Sequence, residues 1–119
     1  MTTTLKDQIT AAVAAHSMWK SRLFAAIETG KSKYTSAKVA PDNQCEFGKW
    51  LHGSIDATMR AAPDYATVKD LHARFHKEAA KVLRLVEDGK IPEAKAALGG
   101  EYTAVSTKLV QQLQSWKAK

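Results

Sequence analysis

Residues 64–88 read DYATVKDLHARFHKEAAKVLRLVED, and within them Val68, His72, Phe75, Ala79, Val82, Leu83 and Val86 recur at three- and four-residue steps. That spacing is one stripe of an α-helix. Asp64, which follows Pro63, can cap such a helix and Gly89 can stop it, so a helix is expected over about Asp64–Asp88. Towards the N-terminus, Leu5, Ile9, Ala12, His16, Leu23 and Ile27 form a second stripe, with Lys6, Asp7 and Arg22 away from its centre. This predicts a helix from Thr4 to Thr29, ended by Gly30.

Between these two helices the pattern breaks. Lys31–Asn43 is rich in Ser, Thr and Lys and closes on Pro41-Asp42-Asn43, which predicts a long crossover loop. A short helix follows from Cys45 to His52 and stops at Gly53. Beyond Gly89, a helical stretch around Glu93–Leu98 meets Gly99-Gly100, a pair that either breaks or bends the chain. Tyr102, Val105, Leu109, Leu113 and Trp116 then share one face of a last helix. No run of alternating β-branched residues suggests a strand. The fold class is therefore all-α: a four-helix bundle with one short helix carrying the cysteine. The 119 residues make one core's worth of chain, a single domain over 1–119.

Composition narrows the function classes. With 45% hydrophobic and 25% charged residues the chain has the proportions of a folded globular protein, which argues against disorder and low complexity. No apolar stretch approaches the roughly 20 residues of a membrane span, and the first residues lack the basic start and apolar run of a signal peptide. A cytoplasmic address and no membrane partner are expected. The net charge of +6 would favour nucleic acid only if gathered in one patch, but Lys20, Lys38, Lys49, Arg60, Lys77, Lys81, Arg84 and Lys108 are scattered, so no nucleic-acid partner is expected.

Chemistry concentrates in the histidines and the single cysteine. His16 sits near the centre of the first apolar stripe, where a polar ring needs a partner; alone, it reads as a hydrogen-bonded core histidine. His72 and His76 lie one turn apart on a side that overlaps the apolar face. Two buried imidazolium ions there would repel, while a divalent metal binds both in the neutral form. Spacing alone does not separate such a pair from a surface pair; its inward direction brings the metal reading level with the alternative. Cys45 opens the short helix, where the dipole favours the thiolate, although a cysteine packed against Phe47 and Trp50 is the alternative. Its neighbours Asn43, Gln44 and Glu46 are polar for a core segment. Three imidazoles and a thiolate suit tetrahedral zinc and leave no position open for a substrate water. Di-iron chemistry needs inward carboxylates, and Glu28, Asp70, Glu78 and Glu87 fall largely on polar faces.

The segment Cys45-Glu46-Phe47-Gly48-Lys49-Trp50-Leu51 resembles the Cys-x-Phe/Leu-Gly-x-Trp-Leu/Tyr signature of the chemoreceptor zinc-binding (CZB) domains of bacterial sensory proteins. His16 with Trp19-Lys20, and Leu71-His72-Ala73-Arg74-Phe75-His76, look like the family's other ligand segments, and the likeness extends over about Leu5–Trp116. The resemblance implies that His16, Cys45, His72 and His76 bind Zn2+, with His52 outside the set as a surface residue at a helix end. Phe47 and Trp50 are expected to anchor the short helix, and Gly48 to permit close approach to a neighbour.

Family members accompany a chemoreceptor signalling hairpin or a diguanylate cyclase, and these 119 residues contain neither. A stand-alone regulator or an excised sensor would explain this, and the start at Met1 favours the former. The family's links with zinc inhibition of cyclic-di-GMP synthesis and with hypochlorite sensing imply a non-enzymatic sensor of zinc, oxidants or both. Structural zinc sites supply about 10–16 kcal/mol of apparent binding energy, enough for occupancy to decide a local conformation. Family habit, with Trp19 and Phe24 flanking the first stripe, implies a homodimer. Two alternatives stand beside the sensor: a thiol enzyme with Cys45 as nucleophile and His72 or His76 as base, and a metal-independent helical interaction module.

Overall fold

The structure, a computed structural model, describes residues 5–31, 34–41, 45–55 and 57–118. The expected helix start at Thr4 and the polar flank at Asn43 and Gln44 lie outside the described residues, as do the side chains of Leu5 and Glu46.

Three long helical runs build the bundle. Helix α1 spans Leu5–Thr29, α5 spans Pro63–Glu87, and α6 (Ile91–Ala97) leads through a π-helical turn, Leu98–Tyr102, into α7 (Thr103–Lys117). Both long stripes face inward: Ile9, Ala12, His16, Leu23 and Ile27 of α1 are buried, as are Val68, His72, Phe75, Ala79, Val82, Leu83 and Val86 of α5. Helix α5 packs against α1, α6 and α7, so it forms the spine of the molecule.

The two long helices end on glycines for a conformational reason. Gly30 has φ of 71° and its N–H reaches the Ala26 carbonyl at 2.8 Å; Gly89 has φ of 75°, its N–H bonds Val86 at 3.0 Å and the Lys90 N–H bonds Leu85 at 2.8 Å. The second pattern is a Schellman closure, which requires the left-handed backbone that glycine adopts without strain. The start of α5 differs from expectation. Pro63 begins the helix, and Asp64 sits buried in its first turn, where Gln112 Nε2 donates to its carboxylate at 3.1 Å, tying α5 to α7. Gly99-Gly100 bends rather than breaks the chain: Gly100 departs from helical geometry inside the π turn, and Thr103 Oγ1 donates to the Leu98 carbonyl at 2.7 Å.

The crossover from α1 to α5 is more structured than a loop plus one short helix. Its described residues contain three single-turn helices: α2 (Ser36–Val39), α3 (Glu46–Lys49), which continues into a π turn at Trp50–Ser54, and α4 (Ala57–Arg60). The loop expected over Lys31–Asn43 thus holds α2, and the helix expected over Cys45–His52 starts one residue later and widens at Trp50. Such short pieces do not nucleate alone; they form where side chains cap and anchor them. Thr35 Oγ1 accepts from the Lys38 N–H, and Ser36 donates twice to the Glu87 carboxylate, at 2.8 Å from its N–H and 2.8 Å from its hydroxyl. Val39, Phe47, Leu51 and Ile55 are buried, Tyr65 of α5 donates to the Leu51 carbonyl, and Trp50 meets Trp116 of α7 at 6.4 Å between ring centres.

Candidate metal centre

The four residues singled out in the sequence converge from three separate segments. His16 comes from the inner face of α1, His72 and His76 from adjacent turns of α5, and Cys45 from the residue that precedes α3. One donor atom from each lies within 4.8 Å of the others. Cys45 Sγ is 3.4 Å from His72 Nε2 and 3.6 Å from His76 Nε2, and the two Nε2 atoms are 3.1 Å apart.

Backbone groups fix the orientation of these donors. His16 Nδ1 lies 2.6 Å from the Ala12 carbonyl and His76 Nδ1 lies 2.9 Å from the Val39 carbonyl. A carbonyl only accepts, so both Nδ1 atoms carry the proton and both Nε2 atoms keep a lone pair. The Gly48 N–H points at Cys45 Sγ from 3.3 Å, a donor that complements negative charge on sulfur. Among the described residues His72 Nδ1 is buried without a hydrogen-bond partner, and its Nε2 faces the centre of the group.

The imidazoles sit in largely apolar surroundings. His16, His72 and His76 are buried, and the edges of Phe47 and Phe75 close on the imidazoles, with ring centres 5.2 Å apart for Phe47–His72 and 4.8 Å for His16–Phe75. Desolvation lowers His72 to about 2, helped by the neighbouring His16, His76 and His52. Desolvation also lowers His16, to about 4, against the opposing effect of the Ala12 carbonyl. Both are therefore held neutral at physiological pH, the form that binds metal.

A tetrahedral zinc ion with ordinary bond lengths of about 2.0–2.1 Å to nitrogen and 2.3 Å to sulfur sets donor separations of about 3.3 Å for N···N and 3.6 Å for S···N. The observed 3.1, 3.4 and 3.6 Å agree with those edges. Without a cation, lone pairs on closely spaced nitrogens would oppose one another. The donor set and the spacing of Cys45, His72 and His76 fit a divalent metal of zinc's preferences, and His16 completes the group within the wider 4.8 Å limit. They fit thiol catalysis poorly, because the activating partner of a cysteine must take up a proton and burial disfavours that at His72.

His52 is exposed in the π turn, apart from the four donors. Phe47 is buried and Trp50 half-buried, 5.7 Å apart between ring centres, in the anchoring role expected of them. Glu78 is only partly on a polar face: it is half-buried, with Oε2 enclosed, but it does not belong to the donor group. Sequence reasoning missed the orienting atoms, the carbonyls of Ala12 and Val39 and the Gly48 N–H. Ala12 precedes His16 by one turn, a clue to its nearness; nothing in the sequence marks Val39, 37 residues from His76.

A family model described as the chemoreceptor zinc-binding domain, CZB, matches residues 16–83. The match covers more than half of the chain and spans all four donors, though it is narrower than the Leu5–Trp116 likeness expected from the motifs. No curated protein and no solved structure matches the chain significantly.

Proposed function

The chain belongs to the chemoreceptor zinc-binding domain family, a family of regulatory signalling domains rather than enzymes, and from that membership and the centre's geometry we propose that it is a zinc-dependent sensory module. His16, Cys45, His72 and His76 would hold one Zn2+ ion, whose charge compensates the thiolate and the converging lone pairs. The observation that carries this reading is the meeting of three imidazole nitrogens and one thiol, drawn from three segments, within 4.8 Å of one another.

The residues then act as a clasp. Val39 and Ala12 hold the His76 and His16 rings through their Nδ1 protons, Gly48 steadies the thiolate, and Phe47 and Phe75 pack against the imidazoles. Loss of the metal, or oxidation of Cys45, removes the link between the crossover and the α1–α5 pair and changes what the bundle presents to a partner. The stimulus is zinc availability, an oxidant or both, and the output is a chemoreceptor or diguanylate cyclase acted on in cis or in trans. Residues 1–119 act as one domain in the cytoplasm, as a homodimer. No described helix is long and apolar enough to cross a membrane. Phe24 and Met18, 56% and 54% exposed on α1, support the dimer as apolar surface that one bundle leaves uncovered. Sedimentation at micromolar concentration should show a dimer; a monomer alone would remove that part of the proposal and leave the zinc assignment intact.

Metal content of protein purified without added metal, with titration against a chromophoric chelator, tests the central reading. One tightly held zinc per chain is expected. A folded protein that contains no metal and takes up none would overturn the four-ligand assignment, and iron in place of zinc would point to an oxygen-related role.

A further inference from the structure

The metal centre is sealed on the α5 side and open on the α1 side. A cleft of about 400 Å³ is lined by Ala11, Ala15, Trp19 and Arg22 of α1 and by two of the four donors, His16 and Cys45. His72 and His76 do not line it. Ala11 and Ala15 leave the space that longer side chains on α1 would fill. The volume exceeds what a few water molecules need, at about 30 Å³ each, and lies in the range of small-ligand pockets, about 300–1,000 Å³.

The cleft also has a sign. Arg22 is the charged residue on its lining, and no described carboxylate shares it. The guanidinium is held in place by two rings, 5.1 Å from the centre of Trp19 and 5.2 Å from that of Tyr34, which themselves meet edge to face. A fixed cation in a partly enclosed, apolar-walled space attracts anions and repels free divalent ions.

Resting on the zinc reading above, we propose that this cleft is a portal at which a small anionic acceptor or donor of metal, of carboxylate or thiolate class, reaches His16 and Cys45 and exchanges the ion without unfolding of the bundle. The metal passes as a dication between the protein's donors and those of the visitor. No electron moves, and the vacated thiolate is free to take a proton from water while the imidazoles stay neutral. His16 and Cys45 are the donors that yield first, while His72 and His76 are shielded behind them.

The test follows zinc transfer from the loaded protein to EDTA. The wild-type rate should rise in proportion to EDTA concentration and fall with added salt. Ala15→Trp should slow transfer by at least about tenfold while leaving equilibrium affinity within about twofold, a barrier change of about 1.4 kcal/mol or more without a matching change in binding. Arg22→Gln should slow transfer to EDTA and abolish its salt dependence, yet leave transfer to neutral 1,10-phenanthroline unchanged. Ala104→Trp, an exposed position on α7, is the control for adding an indole. If Ala15→Trp does not fold, Ala11→Leu narrows the same cleft. A wild-type rate independent of EDTA concentration, or unhindered transfer in the filled variants, would overturn the portal while leaving the zinc site standing.

If the protein binds no zinc, the zinc reading fails and the cleft is tested by alkylation of Cys45. Relative to a free thiol, iodoacetate should be favoured over iodoacetamide, with the preference lost in Arg22→Gln. An unchanged reagent ratio would overturn the anion-attracting portal.

Discussion

Helix α5 and the crossover between α1 and α5 contribute to the same centre but are built differently. Helix α5 is 25 residues long, buries a continuous stripe and carries two donors on adjacent turns. The crossover consists of single turns of four or five residues, too short to persist alone, and brings Cys45. Its position depends on a few ties: Val39 to His76, Ser36 to Glu87, Tyr65 to Leu51, and burial of Phe47, Leu51 and Ile55. The contrast teaches that metal binding here joins a self-sufficient element to a dependent one, so loss of the metal should be felt almost wholly in the crossover.

The largest effect should come from the joint itself. Cys45→Ser removes the anionic and oxidisable donor, and zinc affinity should fall by more than about 100-fold, the upper range for losing even an outer partner of a ligand. Hypochlorite should then release no metal through this thiol. His76→Ala should also weaken zinc but leave the thiol reactive, so the metal still held is released by hypochlorite more readily than in wild type. Similar affinity in wild type and Cys45→Ser would return the thiol to the role of core filler.

Phe47→Ala separates packing from ligation. It opens a cavity under the crossover, and the expected cost is about 3–5 kcal/mol of stability in the zinc-loaded protein, read by denaturant unfolding. Hydrogen exchange should accelerate first in residues 45–55, with α5 keeping its protection. Equal acceleration in α5 would mean that the two regions unfold as one unit and that the crossover is no more dependent than the helix.

Acidification acts on the metal-free centre. The folded-state values of His16 and His72 lie below the ordinary 6.5, so between 6.5 and about 4 the unfolded chain binds more protons than the folded one. Their contribution to stability is therefore complete above 6.5 and is lost progressively as pH falls, with a slope that approaches about 1.4 kcal/mol per pH unit for each group. Denaturant midpoints of metal-free protein from pH 7.5 to 5 should decline accordingly. A flat profile would show that these imidazoles are not held neutral by burial.

The smallest effect belongs to an exposed tie. The Ser36 N–H and hydroxyl lower the Glu87 carboxyl below its usual range. This stabilisation is present above the unfolded value and is lost as pH falls through the folded one. Because the pair faces solvent, Glu87→Gln should cost no more than about 0.5 kcal/mol and loosen only α2, a change visible by hydrogen exchange at residues 36–40.

What could be read from the sequence divides along the same line. The long helices were legible because burying a stripe imposes the 3.6-residue period, and the stripes found in α1 and α5 are the buried faces. The donors were legible for the same reason, since histidines stand out on apolar faces. The crossover was not, because α2 and α4 are set by long-range contacts such as Ser36 to Glu87 and by local turns with no periodic signature. Asp64 looked like a cap because its residue type favours one, yet Gln112, 48 positions away, claims its carboxylate inside the bundle. The orienting carbonyl of Val39 is a backbone atom and leaves no mark on side-chain identity.

Cobalt(II) titration of the metal-free protein tests the central claim most directly, because absorption reports both geometry and donor type. Saturation is expected at one equivalent per chain, with intense visible bands of a four-coordinate ion, a near-ultraviolet thiolate-to-metal band that Cys45→Ser abolishes, and displacement of the cobalt by zinc. Weak bands of a six-coordinate ion, or a spectrum unchanged by Cys45→Ser, would contradict the assignment of His16, Cys45, His72 and His76 as one metal centre.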